Sequence, residues 1–189
     1  MVKSLNISKG PSKKNGKTFY KNKGFYDLVN CKKYMGDPTK VRYLSSWELA
    51  MFRYCDIDPS IVRWSSERIE IPYMMDDGSL HRYYPDLYIE KKHANNSDLF
   101  DRWIVEIKPY KEIYPDFLLY NTAERKWVEI SPEQMHKNLT PSKLESYEYQ
   151  YKTYKKNMFK WAKAIEWCKK NGYEFKLLHE HYLKERGII

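Results

Sequence analysis

An α/β sandwich with a mixed β-sheet is the fold this sequence predicts, and three observations predict it. In Trp103-Ile104-Val105-Glu106-Ile107-Lys108 every second residue, Trp103, Val105 and Ile107, is apolar and Glu106 and Lys108 share the other side, the period of a strand. A long segment after Thr140-Pro141 repeats apolar residues at steps of three and four, the period of a helix. Another apolar run follows Asn171-Gly172, so a strand can return beside the first by a right-handed crossover. A chain of 189 residues is long enough for one domain with a real core, and the default reading adds an arm.

The arm comes first. Residues 1–40 hold ten lysines against two aspartates, so +8 of the formal +9 charge lies there. Its Gly, Ser, Asn and Lys content leaves too little apolar surface to fold alone, and Phe19, Tyr20, Phe25 and Tyr26 are expected to tether part of it to the body. Residues 41–189 form the single domain. Within it residues 45–56 read as a helix, with Ser45 and Glu48 in capping-box spacing and Asp58-Pro59 closing it. Residues 67–74 and 80–90 flank Asp76-Asp77-Gly78 and predict a β-hairpin whose second strand carries Asp86.

Residues 91–97 then read as a polar loop and residues 101–108 as a third strand, an antiparallel meander that brings Asp86 beside Glu106. Ser131-Pro132 predicts a short helix containing Glu133. The long helix from Thr140-Pro141 carries a stripe of Tyr151, Tyr154, Met158, Trp161, Ile165 and Cys168, and Gly172 is its left-handed cap. Residues 173–179 read as a buried strand.

Composition narrows the function classes. No apolar run approaches a membrane span, the first residues do not open a signal peptide, and no amphipathic or lipidated segment suits a membrane surface. A soluble protein made in a cytosol is the expectation. Cys31, Cys55 and Cys168 are odd in number and widely spaced, which describes a reduced compartment, with Cys55 and Cys168 as core thiols. His179-Glu180-His181 lacks ligand spacing; in an extended segment its two rings would share a face, and both are read as structural or surface residues. A lysine-rich arm with interleaved aromatics suits nucleic acid, because ammonium groups track phosphates and rings stack on bases. Lys13, Lys14 and Lys17 in the arm, Arg82, and Lys156 and Lys160 on the long helix are the candidate phosphate contacts.

The chemistry lies in Tyr84-Pro85-Asp86 and Glu106-Ile107-Lys108. Hydrolysing a phosphodiester requires neutralising the phosphate, activating a water and holding it in line, work that one or two magnesium ions do well. Magnesium takes oxygen ligands and keeps several waters. Asp86 and Glu106 supply carboxylates, the carbonyl of Ile107 a third oxygen, and Lys108 an ammonium to orient the water. Pro85 and Pro109 place both clusters where regular pairing gives out. A second copy, Tyr114-Pro115-Asp116-Phe117 with Trp127-Val128-Glu129-Ile130-Ser131, lacks the lysine and is read as structural. Glu48 is explained by its capping box, yet a helix packed on the sheet could aim it at the same metal. Gln150 and Tyr154 have a Q-x-x-x-Y spacing known in some nucleases, but Tyr154 already belongs to the apolar stripe.

Six segments carry a family resemblance: Lys33-Tyr34-Met35-Gly36-Asp37-Pro38, Tyr43-Leu44-Ser45-Ser46-Trp47-Glu48-Leu49, Trp64-Ser65-Ser66-Glu67, Ile71-Pro72-Tyr73, His81-Arg82-Tyr83-Tyr84-Pro85-Asp86 and Val105-Glu106-Ile107-Lys108-Pro109. Over residues 33–180 the chain resembles the head-completion nucleases of T-even-type tailed bacteriophages, and also the TnsA endonuclease subunit, within the PD-(D/E)xK nuclease superfamily. The resemblance implies a restriction-endonuclease-like core, a mixed central sheet flanked by helices. It implies that Asp86 and Glu106 are metal ligands, Lys108 the catalytic lysine and Glu48 the acidic residue of the first helix.

It further implies a magnesium endonuclease, with manganese as substitute, that acts on double-stranded DNA. The same likeness implies a protein of the virion or host cytoplasm that prepares the packaged DNA end so that neck and tail can join, with portal or neck proteins as partners. Leu44 stands where the family has an arginine, which weakens any phosphate contact there. The alternative is a non-catalytic virion protein that binds the DNA end or portal and retains the nuclease fold.

Overall fold

The computed structural model describes residues 23–75, 77–135 and 140–189. Lys13, Lys14, Lys17, Phe19 and Tyr20 lie outside the described residues. At the described N-terminus β1 (Gly24–Phe25) pairs antiparallel with β2 (Arg42–Tyr43), with a single 3₁₀ turn at Cys31–Lys33 between them. Of the expected tethers, Tyr26 enters the core at 8 % exposure and Phe25 stays 69 % exposed.

Ser45 then caps α1 (Ser46–Ile57) as the capping box requires: its hydroxyl accepts from the Glu48 N–H at 3.1 Å and donates to Glu48 Oε1 at 2.8 Å. Asp56, buried near the end of α1, reaches back to the strap. It accepts from the Tyr26 hydroxyl at 3.0 Å, the Val29 N–H at 2.6 Å and the Asn30 N–H at 3.0 Å.

The chain next forms β3 (Ile61–Ser66), the hairpin β4 (Ile71–Met74) and β5 (Leu80–Tyr83), then β6 (Leu87–His93) and β7 (Asn96–Ile107). Two expectations change here. Asp86 does not lie on the second hairpin strand: the hairpin ends at Tyr83, and Tyr84-Pro85-Asp86 crosses to β6, which belongs to another sheet. Pro85 is fully buried and has no N–H to continue the ladder, so one apolar run becomes two strands. The expected polar loop at residues 91–97 is mostly strand, since β6 runs to His93 and β7 starts at Asn96, with a register shift at Lys92/His93. β3 has no counterpart in the sequence reading. It is set off from β4 by Glu67, whose φ of 43° breaks the strand.

After β7 come α2 (Tyr110–Ile113), the hairpin of β8 (Leu118–Asn121) and β9 (Lys126–Glu129), and the expected short helix α3 (Pro132–Met135). The second motif copy thus forms a separate hairpin, whose Glu129 pairs with Lys155 at 3.1 Å and accepts from the Tyr151 hydroxyl at 3.2 Å. The long helix α4 (Pro141–Asn171) buries Tyr154, Asn157, Trp161, Ala164 and Cys168. Met158 and Ile165, expected in the stripe, are each 42 % exposed. The helix is turned so that small Ala164 packs with Ile104 of the sheet, which lets its backbone approach more closely than a large side chain there would.

Gly172 caps α4 at φ 73° and its N–H bonds the Cys168 carbonyl. Replacing it with Ala meets no neighbour but forces a Cβ into left-handed backbone. Gly172→Ala is therefore expected to destabilise by about 1 kcal/mol, a fall of roughly 2–4 °C in Tm by calorimetry.

β10 (Glu174–Leu178) then lies parallel to β7, with Leu178 opposite Ile107. It is an edge strand in which Leu178 alone is buried, not the fully buried strand expected. His179 caps α5 (Glu180–Glu185) by accepting the Tyr182 N–H at 3.4 Å, so His179-Glu180-His181 turns into a helix rather than extending. The four-stranded sheet runs β10-β7-β6-β3. One face packs on α1 and α5 through Phe52, Trp64, Val105 and Leu183; the other packs on α4 and the β4–β5 hairpin through Ile104, Trp161, Ala164 and Tyr83. Cys55 and Cys168 are buried free thiols, as expected.

Candidate active site

Period-2 alternation along β7 sends Val105 into the α1 core while Glu106 points toward α4 with Ile104. At the end of β7 the Lys108 N–H donates to the Leu178 carbonyl of β10 at 2.9 Å. Neighbouring residues of a strand present their main-chain groups to opposite edges, so Ile107 offers its N–H and carbonyl toward the Asp86 side. Its N–H donates to Asp86 Oδ2 at 2.7 Å. The Asp86 carbonyl is held as well, accepting the Glu67 N–H at 3.2 Å. The broken strand at Tyr84-Pro85-Asp86 therefore delivers a fixed carboxylate to the end of β7.

Glu106 is 2 % exposed. The Tyr83 hydroxyl donates to its Oε2 at 2.8 Å, and the Lys108 ammonium lies 3.3 Å from its Oε1. Burial pushes the Asp86 carboxyl up to about 8, and the Glu106 charge adds to this, against the Ile107 N–H and Lys108. Burial alone would lower Lys108, but Glu106 and Asp86 hold its ammonium above the ordinary lysine value. Burial and then Glu106 raise the Tyr83 phenol far above its usual range, so it stays a donor. Two carboxylates share a poorly hydrated spot with one directly paired cation. That arrangement favours a further positive charge.

Glu48 stands apart from the pair. Its Oε1 accepts from Ser45 and its Oε2 accepts the Leu44 N–H at 2.8 Å, so both oxygens serve the cap, although its charge still raises the Asp86 carboxyl. Among the described residues no three His, Cys, Asp or Glu side chains converge on one metal position. Asp86, Glu106 and the Ile107 carbonyl make an oxygen-only donor set, which fits a hard cation that keeps several of its waters.

Arg82 alternates away from Tyr83 on β5, exposed and 3.5 Å from Glu70. Lys156 is exposed on α4, whereas Lys160 is half-buried and sits 5.1 Å from the centre of the Tyr83 ring. Tyr154 packs against Phe117 with ring centroids 5.3 Å apart, in keeping with its structural reading. Tyr83 escaped the sequence reading as a site residue; its place two residues before Pro85 and three before Asp86 was the available signal.

The sequence profile of the TnsA-like endonuclease N-terminal domain matches residues 58–180, a span that includes Asp86, Glu106 and Lys108 and leaves out Glu48. The "Head completion nuclease" of Enterobacteria phage T4 is 31 % identical over 160 residues, which cover 84 % of this chain and 91 % of that protein. The mixed sheet flanked by helices is the restriction-endonuclease-like core that such a domain requires. On the length of that match, and on a relative aligned over most of both chains, this protein belongs to the TnsA-like endonuclease family.

Proposed function

We propose that this protein is a magnesium-dependent endonuclease of phage head completion, which cuts double-stranded DNA to prepare the packaged end before the neck and tail join. The observation that carries the reading is the meeting of Asp86, Glu106 and Lys108 at the end of β7. The similarity to the T4 protein supports the place in head completion.

Asp86, Glu106 and the Ile107 carbonyl would hold the cation, with Glu48 contributing only if its cap opened. Bound there, a divalent ion supplies charge neutralisation at the phosphate and acidifies a coordinated water. Lys108, anchored by Glu106, orients the attacking water from the side opposite the leaving oxygen. Tyr83 fixes the orientation of Glu106 by donating to it. Arg82 and Lys156 meet the DNA backbone outside the reacting position, where contacts position the duplex without reading its sequence.

The test is conversion of supercoiled plasmid to nicked or linear DNA by the purified full chain with magnesium or manganese. No conversion with either ion would overturn the reading. A second expected outcome needs no DNA. Without a cation the raised Asp86 carboxyl binds a proton more tightly folded than unfolded, so its contribution to stability is present below about pH 4 and falls as pH rises toward about 8. Magnesium or manganese should therefore raise Tm, and raise it more at pH 8 than at pH 6. At an ion concentration of 100 times Kd the gain is about 2.7 kcal/mol. A Tm indifferent to both ions at pH 8 would remove the metal site.

A further inference from the structure

We infer that Lys160 is a catalytic residue that grips the reacting phosphate itself, an anion subsite contributed by α4 and distinct from the backbone contacts made elsewhere on the surface. The inference rests on the endonuclease reading and deepens it. Lys108 has a carboxylate at 3.3 Å, whereas among the described residues no carboxylate lies within ion-pair distance of Lys160. Its ammonium is instead lodged over the Tyr83 ring at 5.1 Å, and the hydroxyl of that ring is hydrogen-bonded to Glu106 at 2.8 Å. Lys160 is thus held beside the carboxylate pair through a side chain that touches it.

Helical spacing sets the approach. Lys156 and Lys160 are one turn apart on α4, the first exposed and the second half-buried, so they form a track from the outer surface inward. Lys160 also lies on the seam between buried Asn157 and Ala164, which limits how far its stem can swing out to solvent. An ammonium kept there loses hydration, and among the described residues its direct contact is a ring face rather than a carboxylate. Burial, with Lys108 and Lys156 nearby, pulls it below the ordinary lysine value despite the pull of Glu106 and Asp86.

A phosphodiester anion resolves this arrangement. With a divalent ion on the carboxylates, a phosphate drawn to that ion would come within reach of Lys160, whose charge would meet a non-bridging oxygen as negative charge builds there in the transition state. Lys108 is already committed to Glu106 and to the water, so the two lysines have separate tasks. A contact strengthened in the transition state affects kcat, whereas a contact to flanking phosphates affects binding.

Cleavage kinetics of the full chain on duplex DNA with magnesium separate these cases, together with DNA affinity measured in EDTA. Lys160→Met keeps the packing on Tyr83 and removes the charge; kcat should fall about 100-fold while KM and the EDTA affinity change less than about 3-fold. Lys160→Arg, which retains a cation, should recover at least a tenth of the wild-type kcat. Lys156→Met and Arg82→Met should act on KM and affinity instead. A Lys160→Met enzyme with wild-type kcat would overturn the inference and leave the nuclease reading standing. A loss seen equally in affinity would also overturn it, reducing Lys160 to an ordinary backbone contact. Should the Met variant fail to fold, Lys160→Gln is read by the same criteria. A wild-type protein that cuts nothing would remove the nuclease reading and this inference together.

Discussion

Asp86→Asn is expected to abolish DNA cleavage, by roughly 10³-fold or more, while leaving the metal-free protein as stable as wild type or more so. The two halves of this result come from one geometry. Asn keeps an oxygen for the Ile107 N–H, so the 2.7 Å bond that fixes the end of β7 survives. What disappears is a negative charge that burial and Glu106 both disfavour. The substitution relieves the folded state and removes a cation ligand together. Lys108→Ala should lose cleavage to a similar degree, but by a different route. It frees Glu106 Oε1 from its 3.3 Å partner, so a buried carboxylate loses compensation and the metal-free Tm should fall. Cleavage assays alongside calorimetry read both. Undiminished cleavage by both variants would sink the assignment of these residues.

The largest expected loss of stability lies far from the chemistry. Asp56→Ala should destabilise by about 3 kcal/mol, because the Tyr26 hydroxyl and the Val29 and Asn30 N–H groups lose an acceptor where water has little access. For a chain of this size that is a fall of roughly 6–12 °C in Tm. Hydrogen exchange should show the loss first at residues 27–30, since the neighbouring main-chain holds, the β1–β2 pairing and the 2.7 Å bond from the Tyr26 N–H to the Val41 carbonyl, lie before them. Unchanged exchange there would mean that Asp56 does not hold the strap.

Sequence reading went furthest where one period dominates. Alternation at residues 103–108 located the end of β7 and put Glu106 and Lys108 on one face, and Ser45 with Glu48 marked the start of α1. It failed where tertiary partners decide. Tyr84-Pro85-Asp86 reads as the middle of one strand, because the sequence does not show that Pro85 is buried between two sheets. Lys91, Lys92, His93 and Asn96 look like a loop because the distal hairpin projects into solvent, where strand residues need no apolar face. Met158 and Ile165 match helical spacing as well as Asn157 and Ala164 do, and the rotation of α4 depends on what it packs against. The roles of Tyr83 and Lys160 depend on a hairpin and a helix more than seventy residues apart meeting over Glu106, which local pattern does not encode.

The β1–β2 pairing fixes where the lysine-rich segment is attached. Gly24 lies opposite Tyr43, whose neighbour Leu44 donates its N–H to Glu48, and the charge of Glu48 is felt at Asp86. The described chain therefore starts beside a cap that is electrostatically linked to Asp86, so a change at the β1–β2 pairing can reach the carboxylate pair without touching it.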